Sequence, residues 1–277
     1  MTVILLTICL GTVGILIFLK MPYSATKAQF QKDIRTYINQ TGKNDTMITE
    51  QDIERLPEPV QTHFRISGYL GKGKKNAIKA YITSAPLKDA NDKPPMIVDY
   101  TLCSFADKPV RLAYIKTSMY GIPFEAYDST QSGAGFMKGV LGKVIPLFEQ
   151  RGAEMDKAQL LTYLGECFLI PSAILGNDIT WEAIDSTHTK ASISYMGITG
   201  SGMFTFDEKG FVQSFQTDQR ARIGNDGSVD YPKWSLIYGD FQEKDGMFYP
   251  TKLKTIWHDS KGDLVYFDAS NIEFISI

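Results

Sequence analysis

The sequence predicts an α+β fold: a long, curved antiparallel β-sheet with a few helices on its concave face, preceded by a single N-terminal transmembrane helix. Three observations predict it. Residues 2–19 carry no charge and are rich in Val, Ile, Leu and Phe. Residues 179–275 hold eight short strand-like runs, joined by links too short for crossover helices, so neighbouring runs must pair antiparallel. Residues 264–269 are apolar on both faces except at Asp268, as a strand is when helices cover the inner side of its sheet.

The apolar N-terminal run, as a helix, reaches about 27 Å, close to the thickness of a hydrocarbon core. It stops at Lys20, with Pro22 beyond it. It is longer than a signal-peptide core, lacks a positive n-region and is followed by no A-x-A site, so a retained single-pass span is expected. The expected organisation is a transmembrane anchor over residues 1–20, a juxtamembrane amphipathic helix and linker over 21–47, and a single β-rich domain over 48–277. Lys20, Lys27, Lys32 and Arg35 all follow the span, which by the positive-inside rule sets the domain in the cytoplasm.

After the anchor, Phe30, Ile34, Tyr37 and Ile38 recur at helical spacing until Thr41-Gly42 ends the helix. Such a helix either lies on anionic headgroups or packs on the domain. Thr49 is a good N-cap for a second helix that ends before Pro57. A third covers 56–65, with Pro59 in its first turn and Gly68 as its C-terminal cap. Strands follow at 77–84, 96–105, 110–120 and 124–132, rich in β-branched and aromatic residues. Residues 133–145, with several glycines, read as a loop or irregular helix. Asp156 and Gln159 then read as the capping box of a helix carrying Leu160, Leu161, Leu164, Cys167 and Phe168, ended by Pro171. In the final meander, the links 207–210, 243–246 and 259–262 each end in Gly after polar residues, as hairpin loops with a residue at positive φ require.

Composition narrows the function classes. A hydrophobic share of 43% with 22% charged residues excludes wholesale disorder over the 277 residues and supplies a sizeable core. A net charge of -2 lacks the concentrated positive field that nucleic acid demands, so no nucleic-acid partner is expected. No nucleophile elbow, zinc-protease helix, paired CxxC or dinucleotide fingerprint occurs, and no cofactor or metal is expected. His63, His188 and His258 are scattered along the chain. Cys103 and Cys167 read as two buried free thiols, with a disulfide between them as the alternative.

The acids Glu125, Asp128, Glu154, Asp156 and Glu166 gather around the central helix, and Arg65, Arg111, Arg151, Arg220 and Arg222 are available to pair with them. Two of these acids could form an acid/base pair. The plainer reading has Asp156 capping the helix, Glu154 and Asp128 facing water, and Glu166 in an internal hydrogen bond or ion pair. Trp181, Trp234 and Trp257 read as core or sheet-face anchors.

Several strings, in order and spacing, carry a resemblance. They are residues 56–61 (Leu-Pro-Glu-Pro-Val-Gln) with Phe64-Arg65, 161–166 (Leu-Thr-Tyr-Leu-Gly-Glu) with 171–175, and 180–185 (Thr-Trp-Glu-Ala-Ile-Asp). The series continues with Phe204-Thr205-Phe206-Asp207 and Gly210, then Gly246-Met247 with Tyr249-Pro250-Thr251. Over roughly residues 50–277 the chain resembles an uncharacterised family of bacterial membrane-anchored proteins whose fold is related to the LolA-like (lipoprotein-carrier-like) half-barrel. The resemblance implies a half-barrel with helices plugging its concave side, an acyl chain or lipoprotein as the ligand class, and an extracytoplasmic domain, against the charge rule. It also makes Glu166 the carried-over candidate residue.

The expected function is therefore non-enzymatic binding of a lipid or other hydrophobic group, with Phe136, Met137, Val140, Leu164, Glu166, Phe168 and Trp181 as ligand-binding candidates and no catalytic residue. Gly133, Gly135, Phe136, Met137 and Val140 would form a mobile lid. The alternatives are an interaction module of the cell envelope, or an enzyme with an acidic site near Glu166.

Overall fold

In the computed structural model, which describes residues 2–42, 46–260 and 262–276, the apolar N-terminal run is one helix, α1 (Thr2–Lys20), with no buried side chain. It is long and apolar enough to cross a membrane. Helices α2 (Ala25–Gln40), α3 (Glu50–Ile53) and α4 (Glu58–Ile66) follow. A first meander comprises β1 (Ala77–Leu87), β2 (Met96–Phe105), β3 (Val110–Met119), β4 (Ile122–Gln131), β5 (Ala134–Leu141) and β6 (Ile145–Gln150). Helix α5 (Ala153–Gly165), a 3-10 turn (Cys167–Leu169) and α6 (Pro171–Ile174) lead to β7 (Ile179–Ala183), β8 (His188–Tyr195), β9 (Ile198–Phe206) and β10 (Val212–Thr217). The short pair β11 (Arg222–Ile223) and β12 (Val229–Asp230) interrupts this second meander, which ends with β13 (Lys233–Lys244), β14 (Met247–Asp259), β15 (Gly262–Ala269) and β16 (Glu273–Ser276).

The two meanders join through β1 and β15, giving one antiparallel sheet in the order β6-β5-β4-β3-β2-β1-β15-β14-β13-β10-β9-β8-β7, with β16 also on β1. Two-residue turns set several registers. Tyr120-Gly121, Ser132-Gly133, Met196-Gly197 and Asp245-Gly246 all have positive φ at both residues, the backbone of a tight hairpin turn. Of the expected hairpin links, 207–210 closes with Gly210 at φ +96°. The link 259–262 contains Lys261, which lies outside the described residues.

The sheet curls. Helix α5 packs against β4 and β5 on one side and β8 and β9 on the other. Strands β4 and β9 stand eight places apart in the sheet order. In a flat sheet that is about 38 Å, several times the width of a helix, about 10–12 Å. Only a concave sheet wrapped around α5 brings both sets of strands to it. Leu160, Leu161, Leu164, Cys167 and Phe168 fill the concave side with inward residues of both meanders. The opposite face of β2–β5 carries a second cluster, in which Phe30 and Ile34 of α2 cover Cys103, Phe105, Leu112, Tyr114 and Tyr127. Helix α2 thus packs on the convex face, its ring at Phe30 stacked on Tyr114 at 5.6 Å. Cys103 and Cys167 lie on opposite faces of the sheet and are free thiols. Burial raises the pKa of both, that of Cys103 to about 12.

Three expectations are corrected. Residues 134–141 form strand β5, not a loop or lid. Its glycines serve close approach: a Cβ at Gly135 would lie 2.3 Å from the Met155 carbonyl oxygen, and one at Gly139 would lie 2.3 Å from the Phe148 ring. Asp156 does not cap α5, whose N-cap is Gly152; its Oδ1 instead accepts the Gly135 N–H at 2.7 Å, tying helix to strand. Asp128 does not face water but pairs with buried Arg111.

His63 of α4 is fully buried among the rings of Tyr69, Phe168, Phe206, Phe211 and Phe241. Its Nδ1 accepts the Val212 N–H at 3.2 Å, and burial holds its pKa down at about 3. Between pH 3 and the ordinary 6.5, the unfolded chain binds a proton that the folded chain refuses. Stability is therefore full above that window and falls as pH drops through it, by up to about 1.4 kcal/mol per pH unit. Replacing His63 with Gln is expected to flatten the pH dependence of the unfolding free energy in this window. An unchanged slope would assign the acid sensitivity to other groups.

Candidate functional site

Strand alternation aims Val98, Ile115, Phe124, Ala126 and Met137 of the first meander at the concave side. Trp257, Leu264 and Tyr266 of β14 and β15 face them across the curl. Together they bound a cavity of about 610 Å³, partly open to solvent beside Asp89 and Asn225. That volume falls within the usual range for small-molecule sites, about 300–1,000 Å³. Helix α5 fills the rest of the concave side, so the cavity is the part of the half-barrel that helices leave unfilled.

The β11–β12 hairpin roofs the cavity with Arg222, Ile223, Val229 and Asp230. Few bonds hold it in place. Arg222 binds Asp259 twice, Nη1 to Oδ2 at 2.7 Å and Nη2 to Oδ1 at 3.0 Å. It also binds Asp230 within the hairpin, with Nε 2.9 Å from Oδ1. These bonds to Asp230 and Asp259 raise the guanidinium pKa above its ordinary value. Gln150 of β6 donates to the Ile223 carbonyl at 3.1 Å, and the Tyr231 hydroxyl donates to Glu154. Below the hairpin, Arg220 packs against the rings of both Trp234 and Trp257, at 4.8 and 5.0 Å from their centres, and donates to Thr162 Oγ1 at 3.0 Å.

At the inner end of the cavity lies a buried ionic cluster. Arg111 of β3 reaches Glu166, just past α5, with Nε 2.7 Å from Oε2 and Nη2 3.0 Å from Oε1. Its Nη1 is 3.0 Å from Asp128 Oδ1, and Nη2 also donates to the Tyr100 hydroxyl. Burial works against the Arg111 charge, but Asp128 and Glu166 outweigh it and hold its pKa well above the ordinary value. Burial likewise raises the Tyr100 pKa, so that hydroxyl stays protonated. The cluster adjoins the cavity: Met137, the cross-strand partner of Asp128, and Ala126, two residues before it, both line the wall. Both Glu166 oxygens face the guanidinium, so the geometry is that of a clamp between helix and sheet.

A second arrangement stands on the convex face. Ser235 Oγ is 2.7 Å from His258 Nε2, and His258 Nδ1 is 2.8 Å from Asp263 Oδ1. The order of groups matches a hydrolase triad. Yet Ser235 is fully buried, so no substrate carbonyl can reach its oxygen. Among the described residues, no group of three or more His, Cys, Asp and Glu is placed to hold a metal ion.

Of the sequence-chosen candidates, Met137 lines the cavity and Glu166 belongs to the cluster at its inner end. Phe136 points to the convex side against Tyr127, and alternation places Val140 on that same side. Leu164 and Phe168 are buried in the main core, where Trp181 packs on Phe168 and Phe204. Sequence reasoning missed Phe124, Phe148 and the roof hairpin. The doubly apolar run 264–269 was the signal for Leu264 and Tyr266.

The profile of a family of unknown function, DUF6544, matches residues 46–269. Comparison with curated proteins finds no match. Among solved structures, a LolA superfamily protein, NE2245 from Nitrosomonas europaea, is similar over 82% of this chain and 92% of that one, at 10% identity and a TM-score of 0.37.

Arg111→Met strands two largely buried carboxylates and is expected to cost about 3–5 kcal/mol of folding stability in chemical denaturation. A loss under about 1 kcal/mol, the scale of an exposed pair, would mean that water already satisfies them. A fluorophosphonate probe is expected to leave the chain unlabelled. Labelling that Ser235→Ala abolishes would turn the Ser235-His258-Asp263 row into a working nucleophile.

Proposed function

Because the chain belongs to DUF6544, a family of unknown function, its role has to be argued from its own cavity, and we propose that it binds a lipid acyl chain or a similar hydrophobic group there. The observation that carries this reading is the cavity of about 610 Å³ with apolar walls from both meanders. An acyl chain entering it gains about 0.8 kcal/mol for each methylene removed from water. The walls are rigid: Val98, Ile115, Phe124, Ala126, Trp257 and Leu264 are buried residues of paired strands. The roof is not sheet-bonded to those walls, since β11 and β12 form a two-stranded sheet of their own. A hairpin held by Arg222 and a few side-chain bonds can lift without breaking the main sheet, which gives a bulky ligand a way in. Helix α1 keeps this binding module at a membrane, as a single-pass anchor, and so beside a supply of lipid.

The test uses the full chain in phospholipid vesicles containing a lipid with a photoactivatable group on its acyl chain. Crosslinks to the peptides bearing Met137, Leu264 and Tyr266 are expected, and Met137→Trp should sharply reduce them while the protein stays folded. Crosslinks confined to α1 would overturn the reading and favour an envelope interaction module.

A further inference from the structure

Five exposed apolar side chains of the domain share one end of the sheet. The β3–β4 turn presents Tyr120, fully exposed, and Ile122; the adjacent β5–β6 turn presents Val144 and Ile145, at 65% and 54% exposure, with Leu147 just beyond. These turns sit at the same end of the sheet and touch: the Gly142 N–H donates to the Pro123 carbonyl at 2.7 Å. Tyr120 is costly there. It holds φ +53° in a tight turn, a position that favours Asn, Asp or Gly. Met196, at the matching position of the β8–β9 turn, lies against Gly133; Tyr120, fully exposed, touches nothing that would offset the strain.

The same corner is where α1 lands. Lys143, buried in the β5–β6 turn, donates to the Phe18 carbonyl at 3.1 Å and to the Met21 carbonyl, tying the turn to the helix end. A Cβ at Gly142 would lie 3.7 Å from Leu19 and 3.6 Å from Ile122, so helix end and apolar turns are continuous. Met21 and Tyr23, just after α1, are exposed as well. Farther from α1, the links at this end become polar: Lys88, Asp89, Asn91, Asp92 and Lys93 join β1 to β2.

We propose that this corner is seated in the lipid–water interface of the bilayer that α1 crosses. Val144, Ile145 and Leu147 enter the acyl boundary, and Tyr120 and Tyr23 sit at headgroup level, where aromatic rings with a polar tip are favoured. A contiguous apolar patch on a soluble surface marks an interaction site, and its continuity with the end of an apolar helix identifies the partner as lipid. The seating brings the cavity wall to the membrane, since Phe124 is two residues from Ile122 and Phe148 follows Leu147. The proposal rests on α1 lying in a bilayer and does not require the cavity to hold a ligand.

The test places single cysteines at Tyr120, Val144 and Leu147 of the full chain, in a Cys9→Ser background; native Cys103 and Cys167 are buried and stay unlabelled. Labels at Leu10, Asp92 and Glu208 are the references. Each position carries an environment-sensitive fluorophore in vesicles of phosphatidylcholine and phosphatidylglycerol, with or without brominated acyl chains. Blue-shifted emission quenched by bromine at Leu10 and at the three corner positions, but not at Asp92 or Glu208, is the expected result. Quenching at Leu10 alone overturns the proposal while leaving α1 in the membrane. Unquenched Leu10 overturns it at its premise. Corner labels that are blue-shifted yet unquenched, and that redden when the protein is diluted in lipid, would show a second copy covering the corner instead. Acyl crosslinking to Met137 is read independently of all four outcomes, so the cavity reading and this one fail separately.

Discussion

Arg111, buried with two carboxylates, divides the concave side of this protein into a filled half and an open half. Its guanidinium takes Glu166 at the end of α5, Asp128 on β4 and the Tyr100 hydroxyl on β2. Removing such charges from water costs several kcal/mol per ion, which the pairing offsets only because each guanidinium bond is well made. A helix end held this way cannot slide along the strands. Past Glu166 the 3-10 turn and α6 carry the apolar packing on, while Val98, Ile115, Phe124, Ala126 and Met137 keep inward side chains that no helix covers. The Tyr163 hydroxyl on the Phe105 carbonyl at 2.7 Å, and that of Tyr238 on the Gly165 carbonyl, fix the same helix against both meanders.

The strands, their antiparallel pairing and the N-terminal helix were legible in the sequence because each has a local signature: period-two alternation, a glycine after a polar turn, an unbroken apolar run. The bounds of β2 match the expected 96–105, and β3 ends one residue short of the expected 120. What failed was glycine in β5. A glycine that loosens a loop and one that lets a helix touch a strand look alike in one dimension, and only the Met155 carbonyl at Gly135 tells them apart. The same ambiguity misdirected the candidate site. Once 134–141 is a strand, Phe136 and Met137 must point to opposite faces, so no more than one of them can line a cavity. The remaining walls come from β1, β2, β3, β4, β6, β14 and β15, and no local pattern announces that residues so far apart in sequence converge.

The ionisable residues around the cavity are arranged by the same economy of pairing. Arg222 is shared by Asp230 and Asp259, Arg220 lies against the rings of two tryptophans, and Arg111 is shared by Asp128 and Glu166. Each guanidinium is thus occupied, and the surface left for a ligand to meet is chiefly aliphatic and aromatic. Such a site discriminates weakly among apolar groups, because it presents few unpaired polar groups for a ligand to satisfy. The carboxylates of Asp128 and Glu166 are likewise committed to Arg111.

Rigidity is distributed in a way that suits this chemistry. The walls belong to long strands paired on both sides, whereas the roof is four residues of paired strand braced by side chains. Local opening takes place where few buried contacts must break, so the hairpin is the element that opens first, at a cost set mainly by the Arg222 bonds to Asp259. Those bonds cross from hairpin to sheet and are partly exposed, hence screened by salt. Opening by this route leaves the Arg111 clamp and the α5 core intact. On the proposed reading, a bulky apolar group enters by this route without loss of the strand pairing that holds the curl.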